Sequence, residues 1–201
     1  MIHNVHDFGY RKLFSNTTIF KQLLETFVAQ DWVKEVDFSS CITLNRTFIS
    51  NEYKERETDL IKKVKIRDQE AYIYILIEFQ SNVQKFMVVR ILHYITNLYI
   101  YLIENTKKLD KLPAVFPILL YNGDNKWTAP TNITELIENN SFLGEYGINF
   151  QYFKIAENEF SEDFLVKANN IVSTLFLTEA YFDTEVIRKE FEDLFVKPLE
   201  S

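Results

Sequence analysis

ERETDLIKKVKIRDQEAYIYILIEFQS, residues 55–81, decides how this chain folds. Asp59 to Ile66 reads as a strand, and Ala71 to Ile77 as a second, with Arg67-Asp68-Gln69-Glu70 turning between them. The second run is unbroken Ala, Tyr, Ile and Leu. It is too short for an ordinary buried helix, so it fits a central strand covered on both faces. Glu78, Phe79 and Gln80 follow. Strand side chains alternate, so Glu78 and Gln80 share a face and Phe79 takes the other.

Polar groups ending the most apolar strand need a reason, because an ionised carboxylate is costly to bury without a partner. A hairpin centred on the 67–70 turn sets Asp59 level with Glu78. Asp59, Glu78 and Gln80 then converge as a hard, oxygen-rich set suited to Mg²⁺ or Mn²⁺. The plainer reading is a solvated strand end whose acid pairs with a lysine. Parity puts Lys63 and Lys65 on the Asp59 face and Lys62 on the opposite one.

Working outward, the 201 residues fit one domain. A 47% hydrophobic and 15% aromatic composition supplies a core and excludes a disordered chain. Four Gly and four Pro point to long regular elements. The single cysteine, Cys41, excludes an internal disulfide, fits a reducing cytosol, and reads as a core thiol. No leader and no uncharged membrane-length span are seen, so a cytoplasmic location is expected. A net charge of −7 gives no global attraction to nucleic acid. Glycine-rich phosphate loops are absent, so no small-molecule cofactor is expected.

Upstream, Phe8 to Phe14 reads as a short helix capped by Asp7, which could instead lend an acid to the site. Thr17 to Ala29 is an amphipathic helix with Ile19, Phe20, Leu23, Leu24 and Phe27 inward. A strand is expected over Cys41 to Phe48. Downstream, Asn82 to about Lys108 reads as the longest helix, with Phe86, Val89, Arg90, His93, Tyr94, Asn97, Leu98 and Tyr101 recurring at helical spacing. Arg90 on it could hold a phosphate, or simply pair with a nearby glutamate. Ala114 to Tyr121 is a second buried strand. Asn149 to Ile155 is a further strand, and Phe164 to Tyr181 and Thr184 to Val196 are helices.

Five blocks together resemble a known family. His6-Asp7-x-x-Tyr10-Arg11-x-Leu13-Phe14 resembles "HDxxFKxLF", and Glu55-Arg56-Glu57-Thr58-Asp59-Leu60 resembles "EKRSDL". Ile77-Glu78-Phe79-Gln80-Ser81 resembles "LEHQS", and Arg90-x-Leu92-x-Tyr94 resembles "RLLRYM". Pro117 to Gly123 with Trp127 resembles "PIVLYNG…W". These are marks of the recombination-promoting nuclease family (Rpn), also called YhgA-like putative transposases, and they cover residues 6 to 127.

The resemblance implies the PD-(D/E)XK superfamily: a restriction-endonuclease-like α/β fold, a mixed β-sheet flanked by α-helices. One domain would span 1–201, with a core at about 6–127 and a C-terminal helical part at about 160–197. It implies a divalent-metal-dependent DNA endonuclease linked to recombination, mobile elements or defence, with DNA as partner and a homodimer as an open option. Asp59 and Glu78, with the Phe79 carbonyl as an optional further oxygen, would hold Mg²⁺ or Mn²⁺. Gln80, standing where the superfamily has lysine, would orient water or phosphate, since an amide is neither base nor cation. Phe79 replaces the family's His. Arg90, Lys63 or Lys65 would stabilise phosphate charge. Alanine at Asp59 or Glu78 is then expected to abolish cleavage and spare the fold. The competing class is a degenerate nuclease fold that tethers DNA or another protein; strand transfer would need a third spaced acid, and none is evident.

Overall fold

The computed structural model describes residues 3–44, 59–78, 83–123 and 125–181, apart from the side chains of 3–8 and 143. Helices α1 (His3–Ser15) and α2 (Thr17–Phe27) precede strand β1 (Val36–Thr43). Then come β2 (Leu60–Ile66), β3 (Gln69–Glu78), α3 (Met87–Asn105), β4 (Ala114–Tyr121), β5 (Phe153–Ala156), α4 (Glu162–Ala168) and α5 (Ile171–Tyr181). The five strands form one sheet in chain order. β1, β2 and β3 pair antiparallel, whereas β3, β4 and β5 pair parallel. This is the expected mixed sheet flanked by helices, consistent with a restriction-endonuclease-like fold.

β3 is covered on both faces, as its continuous apolar run requires. Ile73, Ile75 and Ile77 pack with α1, α2 and α5, while Tyr72, Tyr74 and Leu76 pack with α3. The α3 crossover joins β3 to parallel β4, the connection such a pair needs. Pro117 sits inside β4, yet β5 pairs with β4 only from Ile118 onward. The missing N–H of proline therefore costs no ladder bond on that side.

The hairpin differs from the expectation in one respect that matters for the site. Ile66 pairs with Gln69, so the loop is only Arg67-Asp68. Both residues have positive φ, 51° and 62°, as a two-residue hairpin turn of the mirror-image type demands. The turn is two residues long, not four, and Leu60 stands opposite Ile75.

Several element boundaries also move: α3 starts at Met87 rather than Asn82, and β5 is Phe153–Ala156 rather than 149–155. β1 runs Val36–Thr43, five residues before the expected start at Cys41. Its pairing slips between Asp37 and Ile42. There the Asp37 carboxylate accepts from the Ser39 N–H at 3.0 Å, and Ser40 Oγ accepts the Lys65 N–H at 2.9 Å in place of a backbone carbonyl. Asp7 does not cap α1, because that helix starts four residues earlier, at His3. The single helix expected over 164–181 is broken at Asn169, whose φ is 44°. Asn170 then caps α5, its Oδ1 accepting from the Val172 and Ser173 N–H groups at 3.0 Å each. The helix expected over Thr184 to Val196 lies outside the described residues. No helix among those described is long and apolar enough to cross a membrane.

Lys62 locks α1 to the sheet. Its Nζ donates to the carbonyl of Ser15, the last residue of α1, at 2.6 Å, and lies 5.3 Å from the Phe20 ring centroid. A cation at a helix C-terminus is favourably placed against the dipole. Burial nevertheless pulls the ammonium below its ordinary pKa.

Candidate active site

Asp59 immediately precedes β2, and Glu78 ends β3. One step beyond the Leu60–Ile75 pair, Asp59 falls opposite Leu76. The acids are therefore diagonal rather than level. The two-residue turn moves the hairpin axis by one position and the partner by two. A shift of two preserves the face, so both acids still point toward α3. Diagonal neighbours of this kind stand about 7–8 Å apart, within reach of a glutamate side chain.

Both acids are buried, Asp59 at 3% exposure and Glu78 at 4%. A chain of contacts joins them. The Tyr74 hydroxyl donates to Asp59 Oδ2 at 2.6 Å. The Tyr74 ring stacks on Tyr94, centroids 6.0 Å apart and planes 17° from parallel. The Arg90 guanidinium lies 5.9 Å from the Tyr94 ring centroid, and its Nη2 donates to Glu78 Oε2 at 2.8 Å. Arg90 Nη1 donates to Gln84 Oε1 at 2.8 Å, whereas its buried Nε has no hydrogen-bond partner. Tyr74 and Tyr94 were not among the expected site residues. Parity with Glu78 along β3 was the signal that could have found Tyr74.

The backbone at Glu78 is fixed as well. Its carbonyl accepts the Asn122 N–H at 3.1 Å. The chain turns there at Gly123, where a Cβ would come within 2.3 Å of the Tyr121 hydroxyl. Behind it, Tyr121 meets Trp127 edge-on with centroids 4.8 Å apart, and the Trp127 indole donates to the Tyr152 hydroxyl at 2.9 Å. Burial pushes the Tyr152 phenol up to about 12.

A second buried acid lies close by on the other side of the sheet. Tyr10 of α1 donates to Glu157 Oε2 at 3.1 Å and accepts from Asn122 Nδ2 at 3.1 Å. Glu157 Oε1 is buried with no hydrogen-bond partner. Burial, with Glu179 adding to it, holds this carboxyl well above the usual range despite the Tyr10 hydrogen bond. Nothing in the sequence reading pointed to Glu157.

The other expected site residues fare differently. Arg90 is brought onto Glu78, so the glutamate-pairing reading describes what it does. Lys63 and Lys65 share the Asp59 face but sit four and six residues along the strand, about 13 and 20 Å away. They do not converge on the acids. Lys63 Nζ instead pairs with Glu70 Oε1 at 2.5 Å, and Lys65 is exposed near the turn. Gln80 and Phe79 lie outside the described residues, as do the side chain of Asp7 and the 45–58 segment with its Glu55-Arg56-Glu57. Among the described residues, no group of three His, Cys, Asp or Glu side chains comes together.

The described residues thus form a mixed α/β sheet with two buried acids on one face at the open end of its hairpin. The sequence model of the YhgA-like putative transposase family matches residues 4–194, and the chain belongs to that family. It is 26% identical over 118 residues to recombination-promoting nuclease RpnD of Escherichia coli O157:H7, covering 59% of this chain and 45% of that protein. It is 27% identical over 120 residues to recombination-promoting nuclease RpnC of Escherichia coli K12, covering 59% of this chain and 39% of that protein. A third relative, 25% identical over 119 residues, is the inactive recombination-promoting nuclease-like protein RpnE of Escherichia coli K12, with 59% and 39% covered. The chain thus spans less than half the length of these relatives. No solved structure matches it significantly.

Proposed function

We propose that this chain is a divalent-metal-dependent DNA endonuclease, hydrolysing phosphodiester bonds in the recombination setting that its relatives' names describe or the mobile-element setting that its family's description suggests. The observation that carries this reading is the chain of contacts Asp59–Tyr74–Tyr94–Arg90–Glu78, which sets two carboxylates and a guanidinium on one sheet face. The donor chemistry fits Mg²⁺ or Mn²⁺, because Mg²⁺ keeps several waters and takes one or two carboxylates. Asp59 and Glu78 would hold the ion, which when bound supplies an activated water and neutralises phosphate charge.

The rest falls to the chain's own residues. Tyr74 fixes Asp59, so one carboxylate oxygen is set in direction before any ligand arrives. Arg90 keeps Glu78 in place and presents an unused buried Nε donor, a group that ordinarily has a partner. A phosphate oxygen is a partner of the right charge and geometry. Gln80 would orient water or phosphate without exchanging a proton, so Gln80→Ala should slow cleavage at every pH without moving the optimum.

The test is nicking of supercoiled plasmid with Mg²⁺ or Mn²⁺, and its arrest by chelator. Asp59→Asn and Glu78→Gln keep size and hydrogen bonding, and each should lower the rate by about a thousandfold, the several kcal/mol a bound metal contributes. Melting curves accompany both variants. Nicking that survives chelator, or that survives either substitution in a folded protein, sinks the proposal.

A second reading has an observation of its own. Arg90 already neutralises Glu78, and an ion pair of this quality competes with metal binding. In that reading the chain binds DNA or protein without cutting it. Retention of labelled duplex DNA with no nicking under any divalent cation would select it.

A further inference from the structure

The longest helix is apolar on both sides. One face of α3 packs into the core through residues such as Met87, Ile91, Tyr94 and Leu98. The other carries Phe86 at 59% exposure, Val89 at 46%, Ile100 at 48% and Ile103 at 58%. His93 and Thr96, both exposed, lie between them. The six positions 86, 89, 93, 96, 100 and 103 are spaced three, four, three, four and three apart. That is the a/d spacing of a seam between two paired helices, and scattered surface residues do not produce it.

We propose that this face binds the same face of a second copy of the chain, the two α3 helices running antiparallel about a two-fold axis between His93 and Thr96. In that arrangement Phe86 meets the second copy's Ile103, Val89 meets its Ile100, and His93 meets its Thr96. The aliphatic and aromatic groups then form two apolar layers on each side of two central polar layers. The flanks favour this orientation over a parallel one. Lys85 borders the start of the seam and Glu104 its end, both exposed, so turning one helix around sets the lysine beside the other copy's acid. Lys107 and Lys108 fall beyond the last seam residue. A parallel pair would stack His93 on His93 and Lys85 on Lys85. It would also align the two helix dipoles, which the antiparallel pair opposes. Self-complementarity about a two-fold is what a closed dimer interface requires.

The helix is 19 residues long, about 28 Å of seam. One helix pair is at the small end of specific interfaces. The dimer is therefore weak, with half-association on the order of 10–100 µM.

Sedimentation from about 5 to about 500 µM should show the mass of the full chain shifting from monomer to dimer. Ile100→Glu with Ile103→Glu should hold it monomeric throughout, with unchanged melting, since both positions are exposed. A wild-type chain that stays monomeric at the highest concentration overturns the proposal, as does a double variant that dimerises like wild type. Orientation is read separately in a Cys41→Ser background. His93→Cys and Thr96→Cys proteins should form a disulfide dimer when mixed and little when oxidised alone. Efficient cross-linking of each alone, with none added by mixing, overturns the antiparallel arrangement.

Discussion

Glu78 and Glu157 are the same residue type, equally buried, at the same end of one sheet, and they live in opposite electrostatic company. Glu78 pairs across with Tyr121, and Tyr121 with Ala156, so Glu157 is one residue past that row. One residue reverses the face. Glu78 looks toward α3 and finds the Arg90 guanidinium at 2.8 Å. Glu157 looks toward α1 and finds a phenol, an amide beyond it, and the like charge of Glu179 acting on it. Burial alone therefore does not mark a ligand site. A guanidinium sits directly against the Glu78 carboxyl. A buried acid with only a neutral donor is pushed toward the protonated form and serves as a hydrogen-bonded strut.

The largest effect expected from this contrast follows from removing the cation. Arg90→Ala takes the guanidinium away from the buried Glu78 carboxyl, and should destabilise the fold by about 3 kcal/mol in urea unfolding. Adding Glu78→Gln should recover most of that loss, because the stranded charge is what costs. The same reasoning corrects the expectation that alanine at either acid would spare the fold. Both side chains are too buried and too well bonded for that, which is why isosteric Asn and Gln are the informative substitutions. A loss below about 1 kcal/mol in Arg90→Ala would mean that solvent screens the pair, and the contrast with Glu157 would collapse.

The next effect is a pH dependence of opposite origin. Glu157 has a folded pKa above its ordinary value of 4.5, so the folded state binds a proton that the unfolded state has lost. Its contribution is complete below the unfolded pKa and is lost as pH rises through the folded one. Between those values stability should fall with pH by up to about 1.4 kcal/mol per unit. Glu157→Gln, which cannot ionise, should remove that slope and gain on wild type as pH climbs. Urea midpoints from about pH 4.5 upward decide it. Parallel curves for the two proteins would show that Glu157 is ionised in the fold after all.

These two acids also show where sequence reading succeeds and where it fails. β3 and β4 were legible because continuous apolar runs bounded by polar residues admit few alternatives. The hairpin was legible too, but not its register. Neither Arg67 nor Asp68 advertises the left-handed backbone that both adopt, so a four-residue turn looked as good as a two-residue one. The face survived that error, since the displacement was even, and Asp59 and Glu78 stayed together. β1 was misplaced because side chains of Asp37 and Ser40 replace part of its ladder. The long helix was found but not its inward face. Phe86, Val89 and His93 fit the helical period as well as Met87, Ile91 and Ile95 do, and a helix apolar all round gives periodicity nothing to choose between. Glu157 could not be found at all. Its partner Tyr10 is 147 residues away, and the strand expected over 149–155 ends one residue further on, at Ala156.

The smallest effect separates a strut from a charged pair most sharply. Tyr10→Phe removes one hydroxyl that donates to Glu157 and accepts from Asn122. If the Glu157 carboxyl is neutral, that donor makes an ordinary hydrogen bond, and its loss should cost about 1 kcal/mol near pH 5. The cost should then grow with pH. The Tyr10 hydroxyl favours the ionised form of Glu157, so the variant raises that carboxyl further and meets a larger penalty wherever wild type has begun to ionise. At the alkaline end the loss should approach the range for a hydrogen bond to a charged group, about 1.5–3 kcal/mol. On a Glu157→Gln background the same substitution should cost about 1 kcal/mol at every pH, because an amide oxygen accepts from the phenol but never ionises. A Tyr10→Phe cost that is already large and flat at pH 5 would mean that Glu157 carries its charge there and is no neutral strut.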